Sequence, residues 1–309
     1  MKLVAAVIVV FTIAGSALAT PPLDVRKSVG DLRATKTGVD RDGNFWAWNA
    51  ADAEILRLDA AGRRSTSGSV PDAVNVDVDP ARGIVALTDG GQSVTVLTWD
   101  GRVRTQFRLR NIASTLCWLD GDEVAVAPRF APHRVEVWNA ASKSMVRTLV
   151  PSPEIVPPVR GAVLARAILL RYDARRSELI TVDAVKGDVL VLSPRGEVLR
   201  KAQLPAPKGF EAWLQQLDAD ARAQGTSNTP IVWGYPSLTV TDDGTIWLTE
   251  SYDDRGVRAL KVLRTGKVEQ LTVAESGCPS RRFEAWQRHF VFYHDPKSPR
   301  PPCVGVRRH

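Results

Sequence analysis

The chain has 309 residues, of which 44% are hydrophobic and 24% charged, so it can bury a sizeable core and is not a disordered or low-complexity segment. Its 41 lysines and arginines exceed its 34 acidic residues by seven, yet the excess is scattered as pairs: Arg63-Arg64, Arg175-Arg176, Arg281-Arg282 and Arg307-Arg308. With no basic run and no aromatic-interleaved basic stretch, this composition excludes a dedicated nucleic-acid binder; it reads as a solvated arginine-rich surface with weak attraction to anionic polymers or lipid headgroups as the rival.

Residues 1–19 carry an export signal: Lys2, an apolar run from Leu3 to Ala14, then the small-x-small site Ala17-Leu18-Ala19. Gly15 and Ser16 end the apolar run short of the ~20 residues a spanning helix needs, and no cysteine follows the site to take a lipid anchor. The expectation is a secreted or periplasmic protein with no transmembrane segment after cleavage. Residues 20–309 then form one domain, expected to be a monomer. Among its three cysteines, Cys278 and Cys303 flank the last repeat and are expected to form a disulfide, worth about 3 kcal/mol on the chain-entropy view. Cys117, inside Thr115-Leu116-Cys117-Trp118-Leu119, reads as a buried free thiol.

Period-two alternation and turn residues trace a repeated meander of strands a to d. Its first copy has Thr37–Asp40, Asn44–Trp48, Glu54–Leu58 and a short outer strand near Arg63. The second has Val74–Val78, Ile84–Thr88, Val94–Leu97 and Val103–Leu109, and the third Ser114–Leu119, Glu123–Ala127, Arg134–Trp138 and Met145–Leu149. The fourth runs through Ile168–Tyr172, Glu178–Val182, Asp188–Leu192 and Val198–Leu204; the fifth through Ser237–Thr241, Thr245–Thr249, Ala259–Leu263 and Val268–Thr272. A sixth supplies Phe283–Trp286, His289–Tyr293 and Val304–Arg307 but stops short of an outer strand. No copy can bury both faces alone, so the copies must stack. The segment Val25–Ala34 has strand character and is expected to complete the last blade, since an open blade leaves an unpaired edge. The fold class is therefore all-β, a six-bladed β-propeller of four-stranded antiparallel blades.

The phrases Val39-Asp40-Arg41-Asp42-Gly43-Asn44-Phe45-Trp46 and Ile55-Leu56-Arg57-Leu58-Asp59-Ala60-Ala61-Gly62 resemble those of the NHL-repeat and TolB-like six-bladed propeller superfamily. The likeness spans nearly the whole of residues 20–309, and its motifs imply a fold and leave the function open.

Loop length gives a functional hint. In a propeller the a–b and c–d turns share one face, and the b–c and blade-to-blade connections share the other. The a–b turns here are short, whereas Pro151–Gly161 and the insert Pro205–Pro236 are long, so the b–c face is expected to carry function. Within the insert Phe210, Trp213, Leu214, Leu217 and Ala221 recur at helical spacing, predicting a short helix that lids the channel or docks a partner, with Trp233 and Tyr235 lining a pocket beneath it. The b-strand ends Asn49, Asp89, Arg129, Asp183, Glu250, His294 and Asp295 are candidates for a polar ring at the channel mouth, and the same residue types also cap turns. Tyr252, Asp253, Asp254 and Arg255 extend one b–c loop and are ligand-contact candidates.

Two functions follow. One is a non-enzymatic binding or scaffold module that takes a protein, peptide or glycan on its b–c face. The other is a calcium-assisted hydrolase or lactonase of the gluconolactonase-like kind, for which Asn49, Asp183 and Glu250 supply compatible oxygens. The four histidines make no paired zinc motif, and neither a Gly-x-Ser-x-Gly elbow nor a phosphate-cradling glycine loop is present, which favours the binding module and no cofactor.

Overall fold

A computed structural model describes residues 34–79, 81–128, 133–151, 168–183, 187–205, 212, 215, 216, 219, 220, 223, 235, 237–253, 256–273, 282–293 and 304–308. The chain is an all-β propeller built of antiparallel meanders. The first blade holds β1 (Lys36–Val39), β2 (Phe45–Asn49), β3 (Glu54–Leu58) and β4 (Arg64–Thr66), paired in chain order. The second holds β5 (Ala73–Asp79), β6 (Gly83–Thr88), β7 (Ser93–Leu97) and β8 (Val103–Arg108); the third holds β9 (Ala113–Trp118), β10 (Glu123–Pro128), β11 (His133–Asn139) and β12 (Ser144–Pro151). The fourth comprises β13 (Ile168–Asp173), β14 (Glu178–Asp183), β15 (Asp188–Leu192) and β16 (Val198–Gln203). In the fifth are β17 (Leu238–Val240), β18 (Ile246–Asp253), β19 (Gly256–Val262) and β20 (Val268–Val273). A last sheet has three strands among the described residues, β21 (Arg282–Trp286), β22 (His289–Tyr293) and β23 (Val304–Arg308).

The expectation of six four-stranded blades is thus corrected to five, plus a three-stranded sheet. The segment expected to supply its fourth strand, Val25–Ala34, lies outside the described residues except for Ala34. The predicted lid helix is also not seen as a continuous insert. Among the described residues between β16 and β17, Ala212, Gln215, Gln216, Ala219, Asp220 and Ala223 have helical backbone and are exposed, and the apolar stripe Phe210, Trp213, Leu214, Leu217 and Ala221 lies outside the described residues. Cys278 and Cys303 lie outside them too, while Cys117 is a buried free thiol.

Turn chemistry explains why each repeat folds back on itself. In the first a–b turn one Asp40 carboxylate oxygen accepts from the backbone N–H of Asp42 (2.9 Å) and of Asn44 (3.0 Å), and Gly43 takes φ 79°. That geometry suits glycine and replaces ladder bonds the tight turn cannot make. The longest departure from the expected strands is β18. A bulge between Thr249 and Ser251 lets its ladder continue, so Tyr252 pairs with Val257 and Asp253 with Gly256. Both therefore sit in a strand rather than the b–c loop.

The core lies between blades. Six apolar clusters sit one at each junction: Phe45, Ala34, Trp286 and Val291 join the last sheet to the first blade, and Trp46, Ile55, Val76 and Ile84 join the first to the second. Phe107, Leu116 and Trp138 bridge the second and third, and Leu149, Ile168 and Leu179 the third and fourth. Tyr235, Ile180 and Leu248 bridge the fourth and fifth, and Trp247, Phe283 and Phe290 the fifth and the last sheet. The first strands neighbour one another in chain order, and β21 neighbours β1, so the ring closes on itself.

Packing at one junction leaves no slack. A β-carbon on Gly38 would collide with the indole of Trp46, which is fully buried. The Gly38→Ala variant is expected to lose about 1–3 kcal/mol to overpacking, read as a lower urea midpoint with an unchanged slope.

Candidate functional site

Each first strand sends one residue to the propeller axis from the second or third ladder pair counted from its a–b turn. The ladder fixes them as Thr37 opposite Ala47, Asp77 opposite Val85, Cys117 opposite Ala125, Arg171 opposite Ile180, Thr239 opposite Trp247 and Glu284 opposite Val291. Lys36 joins them, donating to Asn75 Oδ1 and to the Val76 carbonyl, both at 2.7 Å.

Glu284 is the hub of this cluster. Its side chain is 3% exposed and accepts from Arg171 Nη2 at 2.9 Å, from Thr37 Oγ1 at 3.3 Å and from the Thr239 hydroxyl. Burial pushes the Glu284 carboxyl above its usual range, with Arg171 and the two hydroxyls acting the other way. The same burial pulls Lys36 down, opposed by Asp77. Cys117 is pushed up by burial and by Asp77, which keeps it a thiol rather than a nucleophilic thiolate. Lys36 and Arg171 against Asp77 and Glu284 make a neutral plug on the axis.

Above the plug, on the a–b turn face, the axis opens into a cavity of about 70 Å³ walled by the ends of all six first strands. Its rim is a belt of guanidinium–carboxylate contacts that cross from blade to blade. Arg41 Nε meets Asp79 of the next blade at 2.8 Å, while Arg82 donates to the Leu119 and Gly121 carbonyls one blade further on. Tyr172 donates to Asp120, Arg175 pairs with Asp242, and Arg176 donates to the Asp242 carbonyl. Trp286 Nε1 reaches back to the Gly43 carbonyl at 3.0 Å, tying the last sheet to the first blade. The Arg82 guanidinium lies over the Trp118 ring, 4.9 Å from its centroid, and both line the cavity. The a–b face, expected to be plain, therefore holds a concave, charged site, and its residues were missed. One signal could have found the axial set: charged residues at inward positions of otherwise apolar first strands, as in Val76-Asp77-Val78 and Leu170-Arg171-Tyr172.

The residues expected to ring the other mouth are spread among separate local roles. Asn49 donates to Asp52 and accepts from the Ala51 N–H, which is turn capping. Asp89, exposed at φ 53°, accepts from the Ser93 hydroxyl at 3.3 Å. Asp183 is buried at the end of β14. Glu250 accepts from Gln270 Nε2 at 2.9 Å, with Arg258 at 3.9 Å. Tyr235, expected to line a pocket, is a core residue, 1% exposed, whose hydroxyl donates to the Pro205 carbonyl at 2.9 Å. Arg129, Trp213, Trp233, Asp254, Arg255, His294 and Asp295 lie outside the described residues.

The axial donor set does not suit calcium. A hard cation of this kind takes six to eight oxygens, whereas here Lys36 and Arg171 bring two cationic nitrogens among the four charges on the axis. Among the described residues no group of three or more His, Cys, Asp or Glu is placed to hold a metal ion.

No protein-family model and no curated protein matches the chain. Solved structures do resemble it. A member of the DUF4221 family from Bacteroides vulgatus aligns with TM-score 0.59 at 7% identity, over 89% of this chain and 93% of that one. A protein of unknown function from Bacteroides thetaiotaomicron gives 0.50 at 12% identity, over 90% and 71%. Virginiamycin B lyase from Staphylococcus aureus gives 0.50 at 12% identity, over 83% and 75%. At these identities the likeness establishes the β-propeller and carries no activity across.

The axial carboxyl gives a pH test. A buried acid with a raised folded-state value contributes stability that is full below its unfolded value, near 4.5, and is lost as pH rises through the folded value. The melting-temperature difference between the wild-type chain and Glu284→Gln is therefore expected to shrink in the wild type's disfavour from about pH 4 towards neutrality. A wild-type advantage that grew with pH would show that Arg171 dominates burial.

Proposed function

We propose that this chain is an exported binding module, a propeller closed as six blades, that takes its ligand at the axial mouth of the a–b face. The observation that carries this reading is the rim itself. A concave surface whose charged side chains are held by contacts between successive blades is pre-organised, so a ligand meets groups already ordered, and little further ordering cost opposes binding. Beneath the rim the neutral plug makes the mouth a bowl rather than a tunnel. Fold likeness to a lyase at 12% identity carries no reaction to this chain.

Closure by the N-terminal segment is part of the same proposal. Ala34 is fully buried against Phe45, Trp286 and Val291, and Arg282 Nη1 donates to the Thr35 carbonyl at 3.0 Å, so the chain enters β1 alongside the last sheet. Residues 25–33, which lead into this entry point, would on this proposal supply the fourth strand and cover its edge. A chain lacking residues 20–33 is expected to melt on the order of 10 °C lower, as loss of several kcal/mol of strand pairing would require. A change of about 2 °C or less would sink the closure.

Binding is tested with arrays of peptides and glycans probed with the wild-type chain, rim variants Arg41→Glu and Arg175→Glu, and the variants Asn49→Ala and Asp89→Ala in the b–c connections of the first and second blades. The rim variants should lose their signals tenfold or more while the b–c variants keep them. Loss in Asn49→Ala or Asp89→Ala alone would instead place recognition on the b–c face.

A further inference from the structure

We infer that the axial mouth is an oxyanion receptor, in which Arg41, Arg171 and Arg175 hold a carboxylate or phosphate group of the ligand. This rests on the mouth being the binding face. It follows from a hydrogen-bond account of the cavity wall, whose acceptors are mostly spent and whose donors are not.

The spent groups come first. Asp79 takes Arg41 Nε at 2.8 Å, Arg82 Nη2 at 2.6 Å and the Ala81 N–H at 3.0 Å. Asp40 takes two backbone N–H groups, the Asn44 amide and Arg57 Nε at 3.2 Å. Asp173 takes the Arg175 N–H at 3.1 Å and Arg176 Nη1 at 2.7 Å. Arg82 and Arg176 are committed through several nitrogens each, Arg82 to Asp79 and two carbonyls, Arg176 to Asp173 and the Asp242 carbonyl.

Three cavity-lining guanidiniums are left with most of their donors uncommitted. A guanidinium carries five N–H donors. Arg171, only 13% exposed at the cavity floor, gives one nitrogen to Glu284. Arg175 gives Nη1 to Asp242, and Arg41 gives Nε to Asp79 with Nη2 3.9 Å from Asp120. On the acceptor side, Asp77 gives one oxygen to the Trp118 N–H at 2.8 Å and Asp242 one to Arg175, so one oxygen remains on each. Spare donors well outnumber spare acceptors, although the formal charges of the wall balance. A planar fork of N–H donors matches the oxygens of a carboxylate or phosphate, and such charge-assisted bonds are the strong ones. The 70 Å³ of open space is on the scale of that one group, so the rest of the ligand would stand outside the bowl.

Calorimetric titration of the full chain with inorganic phosphate and with acetate, at matched ionic strength, tests this. Saturable binding of at least one anion is expected, weakened tenfold or more in both Arg41→Gln and Arg175→Gln and unchanged in Arg63→Gln, whose exposed pair with Asp59 lies on the outer edge of the first blade. The two anions separate a phosphate from a carboxylate receptor. Absence of saturable binding by either, or equal affinity in the rim variants and the wild type, overturns the oxyanion assignment. If the array signals are still lost in Arg41→Glu and Arg175→Glu, the mouth remains the binding face with a different chemistry; if those signals persist, the binding-face reading itself has failed.

Discussion

One carboxylate serves four sheets. Glu284, on the first strand of the last sheet, takes donors from the first, fourth and fifth blades, over sequence separations as large as 247 residues. A closed ring has no edge at which an error can be absorbed, so all inter-blade angles must be satisfied at once. Apolar packing between blades supplies most of the driving force but little direction. The axial hydrogen bonds supply direction. Losing Arg171 while keeping Glu284 would strand a buried charge, a change that typically costs about 3–5 kcal/mol.

The rim repeats the same logic at the surface. Each exposed guanidinium–carboxylate pair taken alone contributes about 0–1 kcal/mol, so the belt is a weak source of stability. Its value is positional. Arg41, Arg82, Arg175 and Arg176 each begin in one blade's turn and end on another's, and Tyr172 does the same through Asp120. Guanidiniums held this way present their remaining donors at fixed places, as a receptor for a small charged group requires.

Much of the fold was legible in the sequence because a strand writes its own pattern. Val94 to Leu97 or Asp188 to Leu192 show their inward faces by alternation, and Asp-Gly turns mark the reversals, so most strand ends fall within a residue or two of expectation, with the β18–β19 hairpin the main exception. Tyr252 and Asp253 were misplaced because a bulge resets the alternation, and a period-two reading ends where the phase slips. Tyr235 looked like a pocket residue because its burial comes from two blades that meet only in space. The site was less legible for the same reason. Arg175-Arg176 was visible as a basic pair, but its Asp242 partner lies 67 residues on, in another blade, and nothing local marks the connection. Loop length draws attention to the long connections of one face, while short, acidic turns build the bowl on the other.

The six residues that the first strands bring to the axis, Thr37, Asp77, Cys117, Arg171, Thr239 and Glu284, differ almost throughout. A ring of identical copies would bring six like side chains together there, and six like charges at such a distance could not all be buried. The repeat is therefore free to be a repeat everywhere except at its centre. Blades that look interchangeable from outside carry an address on the inside, and a shuffled order would separate Glu284 from Arg171. A consensus design averaged over these repeats would erase that address, leaving sheets able to stack in more than one order.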